Sequence, residues 1–125
     1  MTKAYKIDAR ACTVTEVEVD GINDMHKEIG CTTFTISNSV DRTVPDIFVD
    51  DEGLWTEEPL FFICAGHMQP LCGNGLAMDV DEEGESIKPR MSIEKFRERV
   101  QFVSIIKVNG TPRIFPRTPE LESGQ

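Results

Sequence analysis

Val49-Asp50-Asp51-Glu52-Gly53 recurs further along the chain as Val80-Asp81-Glu82-Glu83-Gly84. A stretch that reads as a strand leads into each copy, Asp46 to Val49 into the first and Leu76 to Val80 into the second. After the first come Leu54 and Trp55, then a break at Glu57-Glu58-Pro59; after the second the chain returns through Glu85 to Lys88. Acids followed by glycine between extended segments suit a short hairpin loop, in which glycine takes the positive φ. Two such tips predict two β-hairpins, and hairpins require antiparallel pairing.

Leu60 to Ala65 is the most apolar run, too short for a typical helix, and reads as a central strand buried on both faces. Ala4 to Asp20 is extended, with Glu16-Val17-Glu18-Val19 alternating as a half-buried strand does. Asp20 is placed to cap a helix from Gly21 to Ile29, whose Ile22, Met25 and Ile29 share one face, and Gly30 is placed to end it. Cys31 to Ser37 alternates again and predicts a strand. Ser92 is the expected cap of a second helix, Ile93 to Val100, with Met91 and Phe96 positioned as a hydrophobic staple. Phe102 to Val108 is expected to be the last strand. Prolines at 112, 116 and 119 predict a Pro-rich extended or disordered tail over 111–125. The fold class is therefore α+β: a mostly antiparallel sheet with two β-hairpins and two short helices, in a single domain over residues 1–110.

The chain has 125 residues, 39% of them hydrophobic, and no apolar run near the roughly 20 residues that span a bilayer. Its first residues, Met1 to Asp8, lack the apolar core of a signal peptide, so cytoplasm is the expected location and no membrane partner is expected. In a reducing compartment Cys12, Cys31, Cys64 and Cys72 are expected to be small buried thiols. Net charge is −9, unevenly spread. Residues 11–85 hold 17 acids and two bases, whereas residues 86–117 hold eight bases and two acids. An acidic face of this strength favours a protein partner with a basic surface, since complementary fields speed encounter. Nucleic acid is disfavoured by the overall sign, leaving the basic segment from Lys88 to Arg117 as the place it would bind.

Cys64, His67 and Cys72 form the one local grouping of soft ligands. A zinc site wants four donors, and the second pair is missing, so a metal is only an alternative reading of these three residues. A Cys64–His67 nucleophile pair is handicapped by strand geometry, which puts residues three apart on opposite faces unless the chain turns at Gly66. Asp79, Asp81, Glu83 and Gly84 open like a calcium loop, but the closing position holds Arg90 where a glutamate is needed, and a solvated acidic turn is expected. Gly73-Asn74-Gly75 is expected to supply turn conformations, and together with Cys64 and His67 it would line any small-molecule pocket. Trp55, beside the first acidic tip, suits an interface anchor or a core position. Lys95, Arg97, Arg99 and Lys107 are expected to form a solvated basic stripe.

The segments Asp46-Ile47-Phe48-Val49-Asp50-Asp51-Glu52-Gly53, Pro70-Leu71-Cys72-Gly73-Asn74-Gly75-Leu76-Ala77 and Asp81-Glu82-Glu83-Gly84-Glu85, with the helix that follows, resemble small uncharacterised α+β domains encoded by phages and mobile elements of actinobacteria. The likeness covers roughly residues 47–103. It implies a small α+β domain in a phage or host setting and carries no catalytic residues.

No complete catalytic constellation is present, so the expected function is that of a non-enzymatic accessory protein without a cofactor. Its expected contact surface is Asp50, Asp51, Glu52, Trp55, Asp81, Glu82 and Glu83. Edge strands of small sheets also pair readily with a second copy, which makes a homodimer compatible with this reading.

Overall fold

The computed structural model describes residues 2–30, 33–51 and 60–118. The elements begin with β1 (Thr2–Asp8), β2 (Thr13–Val19), α1 (Ile22–Ile29), β3 (Phe34–Ser37), β4 (Asp46–Asp50) and β5 (Phe61–Cys64). They continue with β6 (Leu71–Cys72), β7 (Gly75–Val80), β8 (Ser86–Ile87), α2 (Ile93–Arg99), β9 (Val100–Val108) and β10 (Thr111–Arg117).

Strands pair two by two along the chain, β1 with β2, β3 with β4, β5 with β6, β7 with β8 and β9 with β10, all antiparallel. They build two sheets, β2-β1-β7-β4-β3 with β8 alongside β7, and β10-β9-β5-β6. The architecture is α+β with mostly antiparallel sheet. The second acidic repeat does turn β7 into β8. At the first, β4 pairs with β3 and β7 while β5 belongs to the other sheet, so β4 and β5 are not partners; Glu52 and Gly53 lie outside the described residues.

Three layers follow from the alternation of side chains in the first sheet. On one face Ala4, Val19, Leu76 and Met78 pack under Met25 and Ile29 of α1. On the other, Tyr5, Ile7, Val14, Ile47, Val49 and Ala77 meet Phe62, Cys64 and Phe102 of the second sheet and Phe96 of α2. Burying Phe62 and Phe96 completely stabilises the fold by roughly 2–3 kcal/mol each.

Because it is covered on both faces, β7 is the most buried strand, with Gly75 through Asp79 all inside. Leu60 to Ala65 had the stronger apolar signal, yet β5 alternates, with Phe62 and Cys64 buried and Phe61 and Ile63 half-buried. Gly75 is in β7 for packing rather than for a turn. A Cβ there would stand 2.9 Å from Ile47 Cγ2 and 3.0 Å from Phe62 Cζ.

The extended reading of Ala4 to Asp20 misses a turn that contains neither glycine nor proline. Asp8 Oδ1 accepts the backbone N–H groups of Arg10 (3.1 Å) and Ala11 (3.0 Å), Asn74 Oδ1 accepts that of Ala9 (3.0 Å), and Cys12 takes φ 57°. Helix α1 starts from Gly21 with no side-chain cap; Asp20 contributes its backbone N–H to the Asp24 carboxylate, at 2.8 Å. Its C-terminal Gly30 is left-handed, as anticipated. Ser92 caps α2 by accepting the Lys95 N–H.

The proline segment is extended over 111–117, but as a paired strand rather than a tail, and residues 119–125 lie outside the described residues. Thr111–Arg117 is paired with β9 over its whole length, so the folded unit extends past residue 110. Asn109 and Gly110 both take positive φ, 54° and 81°, in a two-residue hairpin loop. With Val108 and Thr111 closing that loop as a hydrogen-bonded pair, Pro112 and Pro116 fall at positions whose nitrogens point away from β9. On the outermost strand a missing N–H costs the ladder nothing. No described helix is long and apolar enough to cross a membrane.

Candidate functional site

Strand direction decides which acids can act together. β2 and β7 both run antiparallel to β1, so they run the same way and end at the same edge of the molecule. Asp20 follows the end of β2, and Asp81 to Glu85 follow the end of β7. Glu18, Asp20, Glu82, Glu83 and Glu85 are exposed there. The tip is held by its own bonds: Asp81 Oδ1 accepts the N–H groups of Glu83 and Glu85, each at 2.9 Å, and Asp81 N–H donates to the Glu85 carbonyl at 2.9 Å. Lys3, opposite Glu18 in register, has its ammonium 3.7 Å from Glu16. Among the described residues no ion pair neutralises Asp20, Glu82, Glu83 or Glu85.

Asp50 and Asp51 are not part of this surface. β4 runs against β7, with Val49 opposite Gly75 and Asp46 opposite Met78. Asp50 therefore lies at the far end of the sheet, roughly 20 Å along the strands from Asp81. The expected joint surface of the two tips is thereby divided. Glu52 and Trp55 lie outside the described residues, as does Cys31. Asp79 is buried rather than solvated, and accepts the Arg90 N–H at 2.7 Å.

The Cys64, His67 and Cys72 grouping is dispersed by the fold. Pro45 O and His67 Nε2 are 3.0 Å apart; a carbonyl can only accept, so Nε2 carries the proton. Nδ1 lies 2.7 Å from Ser37 Oγ, and in the neutral ring it accepts the hydroxyl proton. Both ring nitrogens of this buried histidine are thus occupied. Cys72 stands opposite Phe61 in register, while Cys64 shares the other face of the sheet with Phe62. Burial pushes the Cys64 thiol up to about 12, against the weaker opposing influence of Arg99. Burial, then the Asp50 charge, also raises Cys72. Neither thiol is activated for nucleophilic attack. Among the described residues no group of three or more His, Cys, Asp or Glu side chains could hold a metal ion. The loop after β5 does frame an open cleft of about 450 Å³, where Gln69, Leu71 and Cys72 face Asp50 and Asp51. Asn74 is spent on the Ala9 N–H.

The anticipated basic stripe is also redistributed. Arg97 turns to the Val14 carbonyl, which accepts from Nε at 3.0 Å and from Nη2 at 2.8 Å. Lys107 is on the β9–β10 hairpin. Lys95 and Arg99 instead face a cleft with Arg42 and Arg90. No local pattern linked Arg42 to that helix face, because some fifty residues of chain separate them.

Set beside known proteins, the chain matches no family model, no curated protein and no solved structure.

Proposed function

We propose that this protein is a non-enzymatic binding module whose acidic edge, formed by Glu18, Asp20 and Asp81 to Glu85, docks on a basic surface of another protein. The observation that carries this reading is the shared direction of β2 and β7, which delivers two separate acidic segments to one edge. Asp20, Glu82, Glu83 and Glu85, which no ion pair neutralises among the described residues, project a field that steers a cationic partner and accelerates encounter. The hydrogen-bonded tip loses little freedom on docking, which lowers the entropic cost of association. The setting in this proposal is the cytoplasm, and a phage or mobile-element origin fits a small accessory chain of this kind.

Comparing proteins captured from cell extract by the wild type and by a Glu82→Lys/Glu83→Lys variant tests the proposal. The captured partner should associate more slowly with the variant, with a flatter dependence on salt. Equal rates and equal salt dependence for the two would refute it.

A further inference from the structure

Four cationic side chains from three separate segments open onto one cleft of about 480 Å³. Arg42 comes from the β3–β4 loop, Arg90 from the connection into α2, and Lys95 and Arg99 from one face of α2, four residues apart. Thr43 and Met91 complete the lining, which among the described residues contains no carboxylate. Among the described residues none of the four head groups makes an ion pair or a hydrogen bond.

Gathering like charges is unfavourable, and this chain has 22 acids with which to relieve it. The Asp41 carboxyl is held low chiefly by Thr43, whose N–H (2.9 Å) and hydroxyl (2.7 Å) its Oδ1 accepts, and least by Arg99, with which it forms no ion pair. The contrast with Arg97 and Arg117 is direct, since both of those guanidinium groups are taken up by backbone carbonyls. Beneath the cleft the backbone is fixed. Arg90 N–H donates to buried Asp79 at 2.7 Å, Tyr5 O–H donates to the Met91 carbonyl at 2.7 Å, and Ala65 N–H donates to the Arg99 carbonyl at 2.9 Å. Anchored backbone beneath uncommitted cationic head groups is an arrangement ready to receive an anion.

We infer that this cleft binds a small ligand bearing a di- or triphosphate group. Three guanidinium forks match phosphate oxygens in bidentate geometry. The volume lies in the range of small-molecule sites. A long polyanion would meet the repulsion of a chain at −9, which favours a compact ligand over nucleic acid. The inference is independent of the acidic edge and stands or falls separately.

Calorimetric titration of the whole protein with inorganic tripolyphosphate tests it, alongside a short single-stranded oligonucleotide at equal phosphate concentration. One equivalent of tripolyphosphate should bind, and Arg90→Gln and Arg99→Gln should each weaken binding roughly tenfold. Lys107→Gln/Arg113→Gln, on the β9–β10 hairpin, should leave it unchanged. Arg42→Gln, in an exposed loop, gives the same reading should a helix variant fold poorly. Undetectable binding, equal binding by the cleft variants, or tighter binding of the oligonucleotide would each overturn the inference.

Discussion

The Arg117 guanidinium donates to the Ala9 carbonyl at 2.7 Å, joining the last residue of β10 to the first turn of the chain. The same group donates to the Val103 and Phe61 carbonyls, each at 3.0 Å, and lies 3.3 Å from Cys12 Sγ. One side chain thus clamps β9, β5 and the β1–β2 turn across the space between the two sheets.

Arg117→Ala should therefore destabilise the protein by about 2–4 kcal/mol, since three carbonyls lose a charged donor at once. Arg117→Lys should recover only part of that loss, because an ammonium cannot reproduce the planar fork. Urea unfolding of the two variants measures both effects. A loss under about 0.5 kcal/mol, the size expected of an ordinary surface site, would contradict the clamp.

Gly75→Ala should cost about 1–3 kcal/mol through overpacking, as Ile47 and Phe62 are both fully buried and have little room to yield. Gly73→Ala should cost nearer 1 kcal/mol, for a different reason: Gly73 has φ 83° with open space around it, so the penalty is backbone strain alone. Thermal denaturation of the pair separates crowding from conformation, and a further Phe62→Leu change should relieve only the Gly75 variant.

Burial of Cys64 makes stability fall on the alkaline side. Its folded pKa, about 12, lies above the ordinary 9.0, so the unfolded thiol ionises first as pH rises. The contribution is whole below pH 9.0 and is lost progressively towards about 12. Tyr5, raised by burial and then by Glu16, adds a second loss that begins at its ordinary 10.0. A Cys64→Ala variant should show a shallower fall in urea midpoint over this alkaline range. Iodoacetamide should label Cys64 only as the protein unfolds; prompt labelling of the native state would contradict its burial.

Local signals served well where local physics dominates. The Ser92 cap, the left-handed Gly30 and the strand at Phe34 to Ser37 were all legible, because each depends on neighbours within a turn or a strand, although Ile36 is exposed where alternation would have it share the face of Phe34. The most buried strand was obscured by its own composition. Gly75, Ala77 and Asp79 weaken its apolar signal, and they are small or hydrogen-bonded because both faces are covered. The β9–β10 hairpin was available in Asn109-Gly110, a strong type I′ signal, but the prolines beside it outweighed that reading. Arg117 was lost with the strand that carries it. The cleft shared by Arg42, Arg90, Lys95 and Arg99 could not be read from the chain, since it exists only once three distant segments have been folded together.

The spacing of Pro112 and Pro116 has a consequence for life at high concentration. An outer strand is an invitation to any passing extended segment, and of the three residues facing outward from 112 to 116, only Ile114 retains a hydrogen to offer. Ile114 and Phe115 are about half exposed beside it and would otherwise make that border sticky. The prolines leave the hairpin greasy yet unable to zip onto a neighbour, so this border resists growth into fibrils however many copies crowd together.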